Sequence, residues 1–311
     1  MRSLLAQFAA VLFLLGLAIG QESPAPNPAE AQPATVAAQA FELKPDGSGN
    51  VPQEQIRELL RRVAENDMAN DKRLRDYTYI ERQETHMLDG HGKIKKTESR
   101  TSEVLEIYGE QVERLIAKDD KPLSEKDAKK EEEKIQKIID KREKESDSDR
   151  RKRQEKEEKD REDDREFVKE VADAFNFRLL DSEAIGGRDT WVLDADPHAG
   201  YEPKRKEAKL MMKFKGRIWI DKAELQWVKL DMTAIDDLSF GWVLARLHKG
   251  AHVMIETTRV NDEVWLPKEV QFHVDGRLAL FKGFNADVEQ TFHDYKKFRA
   301  DTKITVVGET E

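Results

Sequence analysis

Two histidines, His248 and His252, come nearest to a metal-binding spacing in this chain. Residues four apart can bind one ion when they share a face of a helix, as in the HExxH motif. Here Lys249-Gly250 stands between them and predicts a turn, and no acidic residue completes the motif. His86 and His91 also flank a predicted turn. We therefore predict no metal site.

Nucleophilic and phosphate-binding motifs are absent from the sequence. The chain has no cysteine, which excludes disulfides, thiolate metal sites and thiol nucleophiles together. It has no GxSxG elbow, and Gly186-Gly187 is a single turn rather than part of a phosphate-binding loop. Carboxylates occur throughout, so no acidic pair stands out. The sequence predicts no enzyme and no cofactor, although a hydrolase without a recognisable motif stays an alternative.

Five tryptophans lie in the second half of the chain, where the pattern is that of β-strands. Any single one is explained by packing in a core or on a sheet face. Together they also suit a site for an acyl chain or a hydrophobic peptide. They are Trp191, Trp219, Trp227, Trp242 and Trp265.

The amino-terminal segment is typical of an export signal. Met1-Arg2 is positively charged, residues 3–19 are mostly apolar, and Ala18-Ile19-Gly20 offers small residues for cleavage before Gln21. An uncleaved anchor helix is the alternative, since roughly seventeen apolar residues are at the short end of what spans a bilayer. No cysteine follows, so a bacterial lipid anchor is excluded. Export without cysteines favours the periplasm of a Gram-negative-type bacterium.

The remaining organisation follows from composition. We predict a signal peptide at 1–20, a disordered Pro/Ala-rich tether at 21–50, one domain at 51–300 and a tail at 301–311. The net charge of −9 and the pI near 5.5 argue against a nucleic-acid partner. No later segment is long and apolar enough to span a membrane.

A charged segment at 118–166 interrupts the domain. Its acids and bases alternate, and pairs such as Glu133–Lys137 stand four apart, which supports a solvated helix. Ser124 resembles the first residue of a capping box, and Ser146–Ser148 indicates a break. We interpret the segment as a solvated helical excursion or hairpin that could bind an envelope protein.

Helix and strand patterns occupy the rest of the domain. Helical spacing of apolar residues predicts a helix from Pro52 to Arg75 and a second apolar stripe over Phe167–Phe175. Asp275-Gly276 predicts a two-residue hairpin turn. The region Trp242–Leu247 fits either a strand or a short helix. Predicted strands are Asp76–Ile80, Thr97–Tyr108, Val112–Lys118, Arg188–Ala195, Leu210–Asp221, Leu225–Ile235, Ala251–Val260, Val264–Val274, Leu278–Phe284 and Ala286–Phe298.

These patterns predict an α+β fold with one large, curved antiparallel sheet of about nine to eleven strands. Only the first helix and the stripe near Phe175 can cover its apolar face. Because two helices are few for so many strands, we expect a concave apolar surface that protein fills incompletely. From strand alternation, its ligand-cavity candidates are Ile218, Ile220, Val270, Phe272, Val274, Leu278 and Leu280.

The order of a helix, RDYTYIERQE, and the strand phrases GRIWIDKAELQWVKLDM, VWLPKEVQFHVDGRLALFKGF and DYKKF resembles the periplasmic lipoprotein-carrier superfamily. That superfamily includes LolA-type, LolB-type and RseB-type proteins and divergent outer-membrane lipoprotein-sorting proteins. The resemblance covers about residues 52–117 and 167–298. It implies an unclosed β-barrel lidded by helices that binds lipid or acyl chains. The charged segment is foreign to the simple carriers, and no functional residue of theirs can be matched here.

The expected function is therefore a non-enzymatic periplasmic binding protein for a lipid, an acyl chain or a lipoprotein anchor. An envelope interaction or sensor protein, which would dock partners through residues 118–166, is the alternative.

Overall fold

The computed structural model describes residues 41–47, 50–108, 110–240, 245–278 and 282–297. The predicted signal peptide, most of the predicted tether and the tail at 301–311 lie outside these ranges. Phe41 and Leu43, at the end of the predicted tether, pack against the core. The folded unit therefore begins before residue 51.

Four helices fall within the described ranges: α1 (Gln53–Leu74), α2 (Glu125–Glu143), α3 (Asp147–Ala174) and α4 (Lys206–Met211). The side chains of Ser124 and Ser146 cap α2 and α3 by accepting the backbone N–H groups of Asp127 and Asp149, each at 3.2 Å. The predicted start at Ser124 and the break near Ser146 are confirmed. None of these helices is both long and apolar enough to cross a membrane.

The helix α4 corrects the prediction of a strand from Leu210. Ala208 and Met211 are buried at a helical spacing of three, so this short segment packs one face on the core. The strand that follows begins only at Phe214.

One antiparallel sheet contains thirteen strands among the described residues, so the predicted fold class is confirmed. The main path runs β4-β3-β2-β1-β13-β12-β11-β8-β7-β6-β5, and its edges β4 and β5 do not pair, so the barrel is unclosed. Thirteen strands exceed the predicted nine to eleven, because the structure includes three very short strands, β4, β9 and β10. The strands are β1 Tyr77–Leu88, β2 Ile94–Ile107, β3 Glu110–Lys118, β4 Lys121–Pro122, β5 Phe175–Ile185, β6 Arg188–Pro197, β7 Phe214–Asp221, β8 Trp227–Ala234, β9 Leu238–Phe240, β10 Ala245–Leu247, β11 His252–Val260, β12 Val264–Leu278 and β13 Lys282–Lys297.

Asp275-Gly276 is not a turn, contrary to the prediction. Strand β12 continues through both residues, and Gly276 pairs with Phe284 of β13. A Cβ at Gly276 would lie 2.2 Å from the carbonyl oxygen of Arg246 in β10. Glycine is therefore needed here for the close approach of a neighbouring strand. As a result, the predicted strands Leu278–Phe284 and Ala286–Phe298 are replaced by the single strand β13.

The main core lies between α1 and the face of the sheet that α1 covers, which we call the inner face. Ile56, Leu59, Leu60 and Val63 form the apolar stripe of α1 and are 0–3% exposed. They pack in one cluster with inner-face residues from β5 to β8, β11 and β12 and with the end of α3. This confirms the two predicted covers of the sheet.

Helix α2 packs against the opposite, outer face. Ile135 is buried in a small cluster with Ile107 of β2 and Val112 of β3, supported by Ile138 and Ile139. The hairpin of α2 and α3 therefore connects the two edges of the sheet, because it follows β4 and leads into β5. The segment is helical as predicted, but α2 is not a freely solvated excursion.

Candidate functional site

An apolar cavity of about 20 Å³ lies between the inner face and the helices. Helices α1, α3 and α4 and strands β5 to β8 contribute to its wall. Every lining side chain is apolar or aromatic. The lining residues are Leu60, Val171, Ala172, Phe175, Phe177, Ala195, Met211, Ile218, Trp227, Leu230 and Met232.

Five of the sequence-predicted cavity residues have described side chains and are on the inner face, and of these five only Ile218 borders this cavity. Ile218, Ile220, Val270, Phe272 and Val274 are 0–8% exposed and belong to the main core. Ile218 lines the cavity. The side chain of Leu278 and the whole of Leu280 lie outside the described part of the chain. The sequence predicts a concave surface that protein fills incompletely, but among the described residues α1 and the end of α3 fill it except for the cavity of about 20 Å³.

Trp227 is the residue that sequence reasoning missed. It lies in register with Ile220 on β7, so its ring faces inward beside the cavity. Trp227 is 5% exposed, and its Nε1–H has no hydrogen-bond acceptor among the described residues. Strand alternation from Leu230 predicts that Trp227 faces outward, because the two residues are three apart. A bulge in the pairing of β7 and β8 turns Trp227 inward, so alternation alone could not identify it.

A partly polar region continues the inner face onto β13 and β1. Val270 pairs with Gln290, which pairs with Gln83, so these residues share the inner face. Gln290 donates its Nε2–H to Glu81 Oε1 and to Gln83 Oε1, both at 3.1 Å. Burial, and secondarily the charge of Glu113, raises the pKa of Glu81 to about 7.

Three aromatic rings adjoin Glu81 on this region. The ring of Tyr79 lies 5.9 Å from that of Phe292 and 5.4 Å from that of Tyr295. Desolvation by burial raises the pKa of both tyrosines. The inner face thus changes from an apolar surface under α1 to an aromatic and carboxamide surface toward β1.

A carboxylate joins the two helices that cover the cavity. Glu170 of α3 is buried and accepts the backbone N–H groups of Lys204 and Arg205, the latter at 3.2 Å from Oε2. These N–H groups precede α4. The Arg205 side chain also binds Asp163 of α3 at 3.1 Å. Glu170 therefore links α3 to the segment before α4, and both helices contribute side chains to the cavity wall.

A second, open cleft of about 690 Å³ lies at one end of the sheet, beside the segment Phe41–Leu43. Phe41 packs edge-on against Trp191 at 6.1 Å, and Arg62 lies 5.0 Å above the Phe41 ring. The basic side chain at its border, Arg188, is held by Asp221 at 2.7 Å and by Glu224 at 2.8 Å. These contacts tie the segment near Phe41 to α1 and β6, and they join Arg188 to Asp221 and Glu224.

The described histidines are dispersed over strands, turns and loops. His248 and His252 flank the turn at Gly250 and bind different acids, Asp275 at 3.4 Å and Asp231 at 2.8 Å. No group of three or more His, Asp or Glu side chains in the described ranges could hold a metal ion.

Neither a family model nor a curated protein matches this chain significantly. Several solved structures do. An outer membrane lipoprotein-sorting protein domain from Vibrio parahaemolyticus is 13% identical, with 78% of this chain and 95% of that chain covered and a TM-score of 0.30. A LolA superfamily protein from Nitrosomonas europaea is 10% identical, with 78% and 92% covered and a TM-score of 0.28. MucB in complex with MucA from Pseudomonas aeruginosa is 9% identical, with 78% and 99% covered and a TM-score of 0.21. They come from the groups that the sequence resemblance names.

Proposed function

We propose that this protein is a non-enzymatic binding protein of the bacterial periplasm that holds an acyl chain, a lipid or a lipoprotein anchor. The observation that carries the proposal is the cavity beneath α1, α3 and α4, whose lining side chains are all apolar or aromatic. Such a wall offers few partners to polar ligands, and burial of methylene groups against it is energetically favourable. The export signal predicted at residues 1–20 supports the location.

Binding of a chain requires the cover to move. A cavity of about 20 Å³ accommodates a water-sized group and not an acyl chain. The chain would therefore replace the contacts that α1 and the end of α3 make with the inner face. Each methylene buried contributes about 0.8 kcal/mol, which offsets the lost packing. Capture is then reversible, because the helices can close again on the same apolar surface.

The polarity of the inner face changes along the sheet. The surface is apolar around Ile218 and Leu230 and becomes carboxamide-rich and aromatic around Gln83, Gln290 and Tyr79. The part of the inner face under α1 therefore suits the hydrocarbon of a ligand.

Native mass spectrometry of protein expressed with its own amino terminus tests the proposal. We expect co-purified lipid and, after its removal, uptake of a fluorescent fatty acid. Substitution Ala172→Phe fills the cavity from α3 and should reduce the uptake. Ala184→Phe is the matched control, because Ala184 is exposed on β5. A protein free of lipid that also takes up no probe would refute the proposal.

The α2–α3 hairpin favours a second candidate function, docking of an envelope protein. Its elbow is well defined: Arg153 binds Glu145 through two hydrogen bonds of 2.9 and 2.8 Å, and Arg142 lies 3.6 Å from the same carboxylate. This rigid elbow presents the exposed residues Arg151 and Lys156 of α3.

Deletion of residues 124–166 would separate the two functions, but it also removes α2 from Val112 and Ile107. The charge reversals Arg151→Glu and Lys156→Glu change only the exposed surface of α3 and leave the packing of α2 in place. A docking protein should then lose crosslinks to its partner in cells. A carrier should keep its affinity for the probe.

A further inference from the structure

The indole N–H of Trp227 is a buried donor in an apolar wall. Among the residues that line the cavity, Trp227 alone carries an N–H on its side chain. It is 5% exposed, and Nε1 finds no acceptor among the described residues. Buried polar groups in native proteins nearly always have a partner, so an unsatisfied one needs an explanation.

A trapped water does not supply this partner well. The cavity of about 20 Å³ has room for a single water molecule. A buried water is held by two to four polar contacts. The side chains of this wall offer it one N–H and otherwise only hydrocarbon, aromatic carbon and thioether sulfur. The site is therefore better suited to a ligand that is apolar except for one acceptor.

We propose that Trp227 Nε1 donates a hydrogen bond to the carbonyl oxygen of an acyl ester or amide. This inference rests on the function proposed above and specifies its ligand class. The indole nitrogen can only donate, so it selects an acceptor. In an acylated ligand, the carbonyl at the head of the chain is the strong acceptor next to the hydrocarbon. The hydrogen bond would fix how deep the chain lies on the inner face, and an alkyl ether of equal length would lack it.

Two probes that differ in this group test the inference. They are palmitoyl lysophosphatidylcholine and its hexadecyl ether analogue, titrated calorimetrically below the concentration at which they form micelles. We expect wild-type protein to bind the acyl form about tenfold more tightly, because the buried donor gains its partner. Trp227→Phe keeps an aromatic ring and removes the N–H. Its affinity for the acyl probe should fall to that for the ether.

A matched control and a second measurement make the test independent of folding. Trp219→Phe removes an indole whose Nε1 already binds Glu183 at 2.8 Å, and it should keep the preference for the acyl probe. In ¹⁵N-labelled wild-type protein, the indole N–H resonance that is missing from Trp227→Phe should move downfield with the acyl probe and not with the ether.

Failure of this inference differs from failure of the proposed function. If wild-type protein binds both probes equally, or if Trp227→Phe keeps the preference, then Trp227 does not recognise a carbonyl, although lipid binding stands. If wild-type protein binds neither probe, the proposed function fails first.

Discussion

Glu81 is a carboxylic acid on the inner face of the sheet, next to aromatic rings and a carboxamide. Burial raises its pKa from 4.5 to about 7. Between these values, the folded protein retains a proton that the unfolded chain has lost. The stability that this proton supplies is therefore complete below about pH 4.5 and is lost as the pH rises toward 7.

Substitution Glu81→Gln should prevent the loss of stability between pH 4.5 and 7. Glutamine keeps the oxygen that accepts from Gln290 and cannot ionise. We expect the variant to be about 2 kcal/mol more stable than wild type at pH 8 and similar to it at pH 5, measured by urea denaturation. Glu289→Gln, at an exposed position of β13, should show no such difference. Equal stability of Glu81→Gln and wild type at both pH values would contradict the raised pKa.

Asp221 and Arg188 form an ion pair whose carboxylate is 1% exposed. Asp221→Ala leaves the guanidinium with only Glu224 at the end of the sheet. We expect a loss of about 3–5 kcal/mol in the free energy of unfolding, because a partly buried charge loses its main partner. Asp194→Ala breaks the exposed pair with Arg178 and should cost less than about 1 kcal/mol. Similar costs for both variants in denaturant titrations would show that burial does not strengthen the first pair.

At the scale of elements, Gly276 explains why β10 can pair with β12. Gly276→Ala would place a methyl group 2.2 Å from the carbonyl oxygen of Arg246. We expect a cost of about 1–3 kcal/mol and loss of protection of the β10 amides in hydrogen exchange. Gly283→Ala, on the neighbouring β13, meets no atom closer than 3.9 Å and should leave that protection intact. Unchanged protection in Gly276→Ala would show that the backbone absorbs the methyl group.

Local signals in the sequence predicted most helices and strands. Where a prediction was wrong, contacts between distant segments explain the difference. The caps at Ser124 and Ser146 act within one helical turn, so the sequence alone located them. Asp275-Gly276 has the composition of a turn, but pairing with β13 and with the distant β10 holds both residues in a strand. Ile135 packs on β2 and β3 from within a charged helix, and its apolar neighbours were too few to indicate that surface. Of the sheet residues that line the cavity, strand alternation selected only Ile218, and Trp227 faces inward because of a bulge that the sequence does not reveal.

At the scale of the whole molecule, the proposed function requires two states of the helices. In the state described by this structure, α1 and the end of α3 occupy the inner face that a ligand would need. Any contact that favours closure lowers the apparent affinity, since the fraction of binding-competent protein falls. Glu170 makes such a contact between α3 and the segment before α4.

Substitution Glu170→Ala should therefore tighten the binding of a fluorescent fatty acid by roughly three- to tenfold, because the open state becomes more populated. A variant that fills the cavity has the opposite effect, so the direction of the change identifies the mechanism. Glu166→Ala is the matched control: it lies one turn away on α3, pairs with the exposed Lys169 and should leave the affinity unchanged. Weaker binding by Glu170→Ala, with the fold intact by circular dichroism, would show that the fastened helices form the ligand site and do not compete with the ligand for it.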